Sequence, residues 1–338
     1  MQEAYPWNRA SWCSLIELRS RLPNALLLKG AAGIGKMDMA LNFAQSLLCE
    51  APDEEGLPCC QCDSCHWFEQ GTHPDFRLIQ PDALSEAEES SEKEGGKKPS
   101  REISVDQIRA LASFANLTAH RGGYRVVLIH PAESMNNNSA NAVLKTLEEP
   151  TEKLLFILVT HKPQQLLPTI LSRCLSLTVN TPSVESGTEW LKQQGVVNPA
   201  HALAQSGFAP LQALHIAEEG EGTEERNILL SAIQRPAQMD ALLLAEKLQR
   251  SAPVQVIHCL QQWCYDLACA KLTGRVRYFP AELEVLKKLS AGISSMRLLG
   301  YQNELQAAKR EAFHPLNQKL QFESILLSYR QIFSAPNA

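Results

Sequence analysis

The chain has 338 residues, 44% hydrophobic and 20% charged, which is typical of a soluble globular protein with two or three domains. It contains no apolar run near the roughly 20 residues of a membrane-spanning helix, and it begins without a secretory signal. We therefore expect a cytoplasmic protein with no membrane partner. The net charge of −5 argues against a stand-alone nucleic-acid binder, which usually carries a basic surplus.

The first elements along the chain form the context of a phosphate-binding loop. Residues 11–22 are consistent with a short helix, and residues 24–30 (NALLLKG) read as a buried strand that ends in glycine. Residues 36–48 keep the spacing of an amphipathic helix. A strand, a glycine-rich loop and a helix in this order are what a phosphate loop requires.

The loop itself departs from the phosphate-loop motif at one position. Gly30, Gly35 and Lys36 fit G-x-x-x-x-G-K-[ST], and Gly33 adds a further glycine. The next residue should carry a hydroxyl that ligates Mg²⁺, but the chain has Met37. A thioether cannot replace a hard oxygen ligand, so nucleotide chemistry at this loop is in doubt.

Five cysteines are concentrated just after this helix, within residues 49–65. In a reducing compartment such a cluster indicates a metal site rather than disulfides. Cys49, Cys59, Cys62 and Cys65 offer four thiolates, the usual ligand set of a structural, tetrahedral zinc site. Cys60 is a fifth cysteine that can exchange with Cys59 in this assignment.

Other readings of the cluster are weaker. An iron–sulfur pattern needs a further cysteine where the chain has Glu69. His66 and His73 lie nearby but are not needed to complete a Cys₄ set. Zinc is therefore the expected cofactor, and its role is structural because four sulfur ligands leave no open position.

Beyond the cysteines, buried strands alternate with helices up to about residue 180. The predicted strands are residues 76–80, 124–129, 153–161 and 175–179, and the predicted helices are residues 103–115, 138–150 and 166–174. This alternation predicts a mostly parallel sheet with helices on both faces. Residues 86–100 are charged and poor in apolar side chains, so we interpret them as a solvated loop. After Thr181 the chain reads as helical throughout.

Several motifs resemble those of the AAA+ clamp-loader family, and in particular its bacterial delta-prime subunits. They are VLKTLEEP (143–150), LSRC (171–174), YPW (5–7), GTHPD (71–75) and, more weakly, NQKLQFESILL (317–327). The resemblance is strong over the first 180 residues. It implies a subunit of a bacterial DNA polymerase III holoenzyme that does not itself carry polymerase activity.

The resemblance also implies a three-domain architecture. Residues 1–180 would form an AAA+ P-loop NTPase-like α/β domain with a parallel sheet, into which the Cys₄ zinc module (49–65) is inserted. Residues 181–222 would form a small helical lid domain. Residues 223–338 would form an all-α collar that joins the subunits.

Active members of the family need an acidic pair after the third strand and a sensing arginine at the second domain. Here the strand is followed by His130, Pro131, Ala132 and Glu133, and residues 206–214 contain no arginine. Glu133 falls two positions beyond the catalytic glutamate. We therefore expect no ATP hydrolysis and no ATP binding by this chain, although the loop amides and Lys36 keep some capacity for a phosphate.

The LSRC motif carries the residue that the resemblance makes functional. In the family this arginine, here Arg173, acts in trans on the ATP of a neighbouring subunit. A planar, permanently charged guanidinium suits a phosphate under attack. The alternative is a surface arginine or a structural ion pair.

We therefore expect an inactive clamp-loader subunit that acts as a scaffold and donates an arginine finger. Its expected partners are ATPase subunits of the gamma or tau type, a delta-type subunit and, through the complex, the sliding clamp and primer–template DNA. Two alternatives are an active motor ATPase of the same family and a zinc-dependent DNA-binding protein. The missing acidic pair argues against the first and the net charge against the second.

Overall fold

A computed structural model describes most of the chain. The described residues are 5–84, 99–115, 118–120, 123–149, 151–219, 223–311 and 317–333. They fall into two compact units, Met1–Gly187 and Thr188–Ala338. The charged stretch 86–100, predicted to be a solvated loop, lies outside the described residues except for its last two. The finer domain boundaries at residues 180 and 222 stay predictions.

A parallel sheet forms the centre of the first unit. Its described strands are β1 (Ala25–Lys29), β2 (Phe76–Ile79), β3 (Arg125–Ile129), β4 (Leu154–Thr160) and β5 (Leu175–Thr178). They are ordered β2-β3-β4-β1-β5, and every described pairing is parallel. The carboxyl ends of β1, β3 and β4 therefore meet at one edge, where ligands bind in open α/β sheets.

Helices cover both faces of this sheet. They are α1 (Arg9–Leu18), α2 (Lys36–Leu48), α3 (Asp63–Glu69), α4 (Val105–Ala115), α5 (Asn137–Glu148) and α6 (Pro168–Leu171), and α7 (Val184–Gln193) begins in the same unit. Because side chains alternate along a strand, β4 contributes to two cores. Leu155 and Ile157 pack with residues of α1 and α2, whereas Phe156 and Leu158 pack with residues of α4 and α5.

The second unit is helical in all of its described regular elements apart from a short 3₁₀ turn. The helices are α8 (Pro199–Gln205), α9 (Pro210–Glu219), α10 (Thr223–Ile233), α11 (Ala241–Leu248), α12 (Pro253–Thr273), α13 (Leu283–Ala291), α14 (Ser295–Glu311) and α15 (Gln318–Gln331). Two buried aromatic residues link three of them. Trp263 Nε1 donates to Tyr329 Oη at 2.8 Å, and Tyr329 Oη donates to the carbonyl of Ile233 at 2.8 Å.

The predicted fold class is confirmed: a parallel α/β sheet is followed by a helical C-terminal part. Each predicted strand is found within two residues of its predicted ends. Helix α3, inside the cysteine cluster, has no counterpart among the predicted elements. Across the described part of the chain, no helix combines the length and the apolar character that crossing a membrane would require.

Candidate functional site

The phosphate-like loop lies between β1 and α2, at the carboxyl edge of the sheet. Gly33 and Gly35 both have positive φ, at 69° and 81°, and Gly35 directly precedes α2. Gly30 follows β1, and a Cβ there would collide with the carbonyl oxygen of Val179. Lys36 begins α2 and is only 2% exposed. The four predicted loop residues therefore lie together between β1 and α2, and their role in phosphate binding stays a prediction.

The chain's own N-terminal segment packs against this loop. The Tyr5 ring lies where a Cβ on Gly35 would be, and its hydroxyl donates to Asp38 Oδ2 at 3.0 Å. Trp7 Nε1 and Asn8 Nδ2 each donate to the carbonyl of Ile34 at 3.0 Å. The YPW sequence, first noticed only as a resemblance, therefore holds the loop from one side.

The buried Lys36 side chain is hydrogen-bonded within the loop. Its ammonium donates to the carbonyl of Ala31. Burial lowers the pKa of Lys36 to about 8, and the nearby carboxylate of Glu133 partly opposes this shift. With a pKa of about 8, Lys36 remains mostly charged at pH 7.

The residue after Lys36 offers no oxygen ligand for a metal ion, because it is Met37. The Met37 side chain packs against the apolar core formed by α1, α2 and the sheet. Glu133 lies near Lys36, but its carboxylate accepts from Thr160 Oγ1 at 2.8 Å and from the His161 amide at 3.0 Å. It is therefore committed to the end of β4. Met37 therefore supplies no oxygen ligand for Mg²⁺, and the Glu133 carboxylate already accepts hydrogen bonds from Thr160 and His161.

Two histidines lie at the same edge of the sheet, close to Glu133. The rings of His130 and His161 are 5.3 Å apart. Burial is the main cause that lowers both pKa values, that of His161 to about 4, and the charge of Lys36 adds to the effect. Both rings are therefore neutral at pH 7 and do not replace the missing acidic pair.

The four predicted cysteine ligands lie together. The sulfur atoms of Cys49, Cys59, Cys62 and Cys65 are all within 4.8 Å of one another. The Cys49–Cys62 and Cys59–Cys65 pairs are each separated by 4.0 Å between Sγ atoms. Sulfur ligands at 2.3 Å from a tetrahedral zinc lie about 3.8 Å apart, so this set fits a zinc ion. Cys60 Sγ instead contacts the carbonyl of Pro58 at 3.6 Å.

Backbone amides donate hydrogen bonds to the cysteine sulfur atoms and favour their charged, metal-binding form. The amides of Gln61 and Cys62 lower the pKa of Cys59 to about 6, whereas burial raises the pKa of Cys65. The Cys59 amide donates to Cys49 Sγ at 3.3 Å, and the Cys65 amide donates to Cys62 Sγ at 3.4 Å. Thiolates that accept such bonds are favoured, but a bound cation is needed to hold all four charged.

The Ser64 hydroxyl, next to the cluster, forms hydrogen bonds with the end of α2 and with His73. Ser64 Oγ donates to the carbonyl of Leu48 at 2.6 Å and lies 2.8 Å from His73 Nε2. His73 Nδ1 accepts from the amide of Asp75 at 3.0 Å, so Nε2 carries the ring hydrogen and donates to Ser64. Sequence reasoning had treated His73 only as an unneeded ligand. Its position within GTHPD, one of the motifs that carry the family resemblance, is the sequence signal that points to it.

Arg173 follows α6, and its guanidinium has partners in its own chain. Its NH2 is 2.6 Å from Glu148 Oε1, and its NH1 donates to the carbonyl of Thr169 at 3.0 Å. Its side chain is 35% exposed. The neighbouring Leu171 and Cys174 pack against the core under α4 and α5. The LSRC motif thus anchors two apolar side chains and presents one arginine, whose contact with Glu148 the sequence did not reveal.

Comparisons with known proteins place the chain in a family. The family model described as "DNA polymerase III, delta subunit" matches residues 15–183. DNA polymerase III subunit delta' of Pseudomonas aeruginosa is 34% identical over 98% of this chain and 99% of that protein. Subunit tau of Escherichia coli is 36% identical over 59% of this chain, but only 28% of tau is covered.

A solved gamma subunit-related protein from Thermotoga maritima aligns with 97% of this chain and all of that one, at 20% identity and a TM-score of 0.44. The relationship itself rests on the sequence matches, which run nearly the full length of the Pseudomonas protein. This chain belongs to the family of delta' subunits of bacterial DNA polymerase III.

Proposed function

We propose that this chain is a catalytically inactive clamp-loader subunit that completes the ATP site of a neighbouring subunit with Arg173. In this role it is a cytoplasmic scaffold beside gamma- or tau-type ATPases and a delta-type subunit. The complex opens the sliding clamp and loads it on primed DNA. The observation that carries the proposal is the presentation of Arg173 by LSRC in a chain whose own loop lacks catalytic chemistry.

The phosphate loop supports the inactive half of this proposal. Met37 is directed into the apolar core, and Glu133 is committed to Thr160 and His161. The Tyr5 ring packs directly on Gly35 of the loop. A loop with these contacts keeps the shape that the domain needs without binding or hydrolysing ATP.

The cysteine cluster has a structural part in the same proposal. Cys49, Cys59, Cys62 and Cys65 would hold one zinc ion, and a bound zinc supplies cross-linking rather than catalysis when all four ligands are sulfur. The cluster joins the end of α2 to α3, so the metal would fix the excursion between them. This assignment makes zinc a folding element of the first unit.

The test uses the reconstituted complex with clamp and primed DNA. Arginine fingers contribute on the order of 10³-fold or more to phosphoryl transfer. Arg173→Ala should therefore nearly abolish turnover at the one site it completes, and the complex's ATPase rate should fall by that site's share. Arg109→Ala, which removes another exposed arginine of the same unit, should leave the rate unchanged. An unchanged rate for Arg173→Ala in a fully assembled complex would refute the finger.

A further inference from the structure

Two of the family motifs of the first unit, VLKTLEEP and LSRC, meet at an ion pair. Glu148 lies in the last turn of α5, at the end of VLKTLEEP, and Arg173 lies two residues after α6. Their Oε1 and NH2 atoms are 2.6 Å apart. The carbonyl of Thr169 accepts a second hydrogen bond from NH1 of the same guanidinium. Arg173 is therefore held from two directions before any neighbour is present.

This ion pair is not explained by folding stability. The side chains of Arg173 and Glu148 are 35% and 50% exposed, and exposed ion pairs contribute little to stability. The effect that remains is on conformation. An arginine side chain has many rotamers, and contacts with the Glu148 carboxylate and the Thr169 carbonyl favour one of them.

The guanidinium also keeps donors for another ligand. It has five N–H groups, and the contacts with Glu148 and Thr169 use only some of them. A phosphate can therefore bind the remaining donors while the arginine stays in the orientation set by its own chain. Preorganised charge of this kind costs no rearrangement at the moment of reaction.

We propose that Glu148 is the positioning residue of the arginine finger. Its carboxylate holds Arg173 in the orientation in which the guanidinium meets the neighbouring ATP. The proposal rests on the proposed function of Arg173. It explains why an acidic residue of VLKTLEEP and the arginine of LSRC occur in the same inactive chain.

The test compares four variants in the reconstituted complex with clamp and primed DNA. They are Glu148→Gln, Glu149→Gln, Arg173→Ala and the double variant with Glu148→Gln and Arg173→Ala. The measured quantity is the part of the ATPase rate that depends on Arg173. For each background it is the rate with Arg173 present minus the rate of the same background with Arg173→Ala. Glu149 is exposed, so its variant is a matched control for the loss of one negative charge.

Glu148→Gln should lower the Arg173-dependent kcat about three- to tenfold, which corresponds to losing the preorganisation of one long side chain. The KM for ATP should stay within about twofold, because the neighbour's own loop binds the nucleotide. Glu148→Gln should have no effect in the Arg173→Ala background, and Glu149→Gln should leave the rate of the otherwise wild-type complex unchanged. A purely structural role for Glu148 would not show this dependence on Arg173.

Each other outcome has a distinct meaning. If Arg173→Ala leaves the rate unchanged, the proposed function fails and the positioning role with it. If Arg173→Ala lowers the rate but Glu148→Gln does not, only the positioning role is overturned. A higher rate in Glu148→Gln would also overturn it, because the carboxylate would then be restraining the finger.

Discussion

Ser64 connects the two halves of the cysteine cluster through one hydroxyl. It is 1% exposed, and it joins the carbonyl of Leu48, beside Cys49, to the ring of His73. Neighbours that orient metal ligands commonly change metal affinity 10- to 100-fold when they are mutated. The hydroxyl is therefore expected to matter for metal retention although it is not a ligand.

Replacing Ser64 with Ala should remove both hydrogen bonds and leave a buried acceptor, at a cost of about 1–3 kcal/mol. Zinc release from the zinc-loaded chain to a colorimetric chelator should become roughly tenfold faster. Ser113→Ala is the matched control, because the Ser113 hydroxyl makes only a local bond on the exposed side of α4. Equal release rates for wild type and Ser64→Ala would exclude the positioning role of the hydroxyl.

Some contacts of individual residues can be predicted from the sequence, and others cannot. The spacing of four cysteines was enough to predict that Cys49, Cys59, Cys62 and Cys65 share a site, because short chelate loops constrain geometry locally. The contact between Glu148 and Arg173 was not predicted. Those residues are joined only by the packing of α5 beside α6, which no local pattern encodes.

At the scale of elements, strands and long helices follow from apolar periodicity because their buried faces repeat at 2.0 or 3.6 residues. Helix α3 is not predictable in this way, because it is short and its cysteine belongs to the four-cysteine cluster rather than to a repeating apolar face. The ends of helices depend on individual side chains instead. Asn136 caps α5 by accepting from the amides of Asn138 and Ser139, whereas the carboxyl end of α4 uses an arginine from β3.

That arginine is Arg125, which is 3% exposed. Its NH1 donates to the carbonyls of Phe114 and Ala115 at 2.8 and 2.6 Å. Its NH2 donates to Thr151 Oγ1 at 3.0 Å. A buried cation here supplies charged donors to these helix-end carbonyls, and Thr151 Oγ1 donates a further hydrogen bond to the carbonyl of Ala115 at 2.7 Å.

Arg125→Met should destabilise the first unit by about 2–4 kcal/mol, since buried acceptors lose charged donors and the apolar side chain does not replace them. Hydrogen–deuterium exchange of amides in α4 and β3 measures this without assuming that both units unfold together. Arg109→Met is the control, because Arg109 lies on α4 itself and its side chain is 72% exposed. This substitution should change the free energy of unfolding by less than about 0.5 kcal/mol. Similar exchange in the two variants would contradict the capping role.

At the scale of the whole chain, the sequence predicted a change from α/β to helical structure after residue 180, because strand patterns end there. It did not predict which titratable groups become buried, since burial depends on how distant helices pack. His258, on α12, is such a group. Burial lowers its pKa to about 4, and the charges of Lys309 and Arg226 add to the effect.

The lowered pKa of His258 makes the second unit less stable as the pH falls. The unfolded chain binds a proton at His258 below its ordinary pKa of about 6.5, whereas the folded chain resists it until about pH 4. Stability is therefore complete above about pH 6.5 and falls as the pH drops toward 4, by up to roughly 3 kcal/mol from this residue. His258→Gln should flatten that pH dependence, whatever its effect at pH 7.

The measurement is urea unfolding of the full chain at several pH values between 7 and 4, with tryptophan fluorescence as the probe. His201→Gln, an exposed histidine of the same unit, should keep the wild-type slope, and an equal slope in His258→Gln would show that His258 does not control the acid transition.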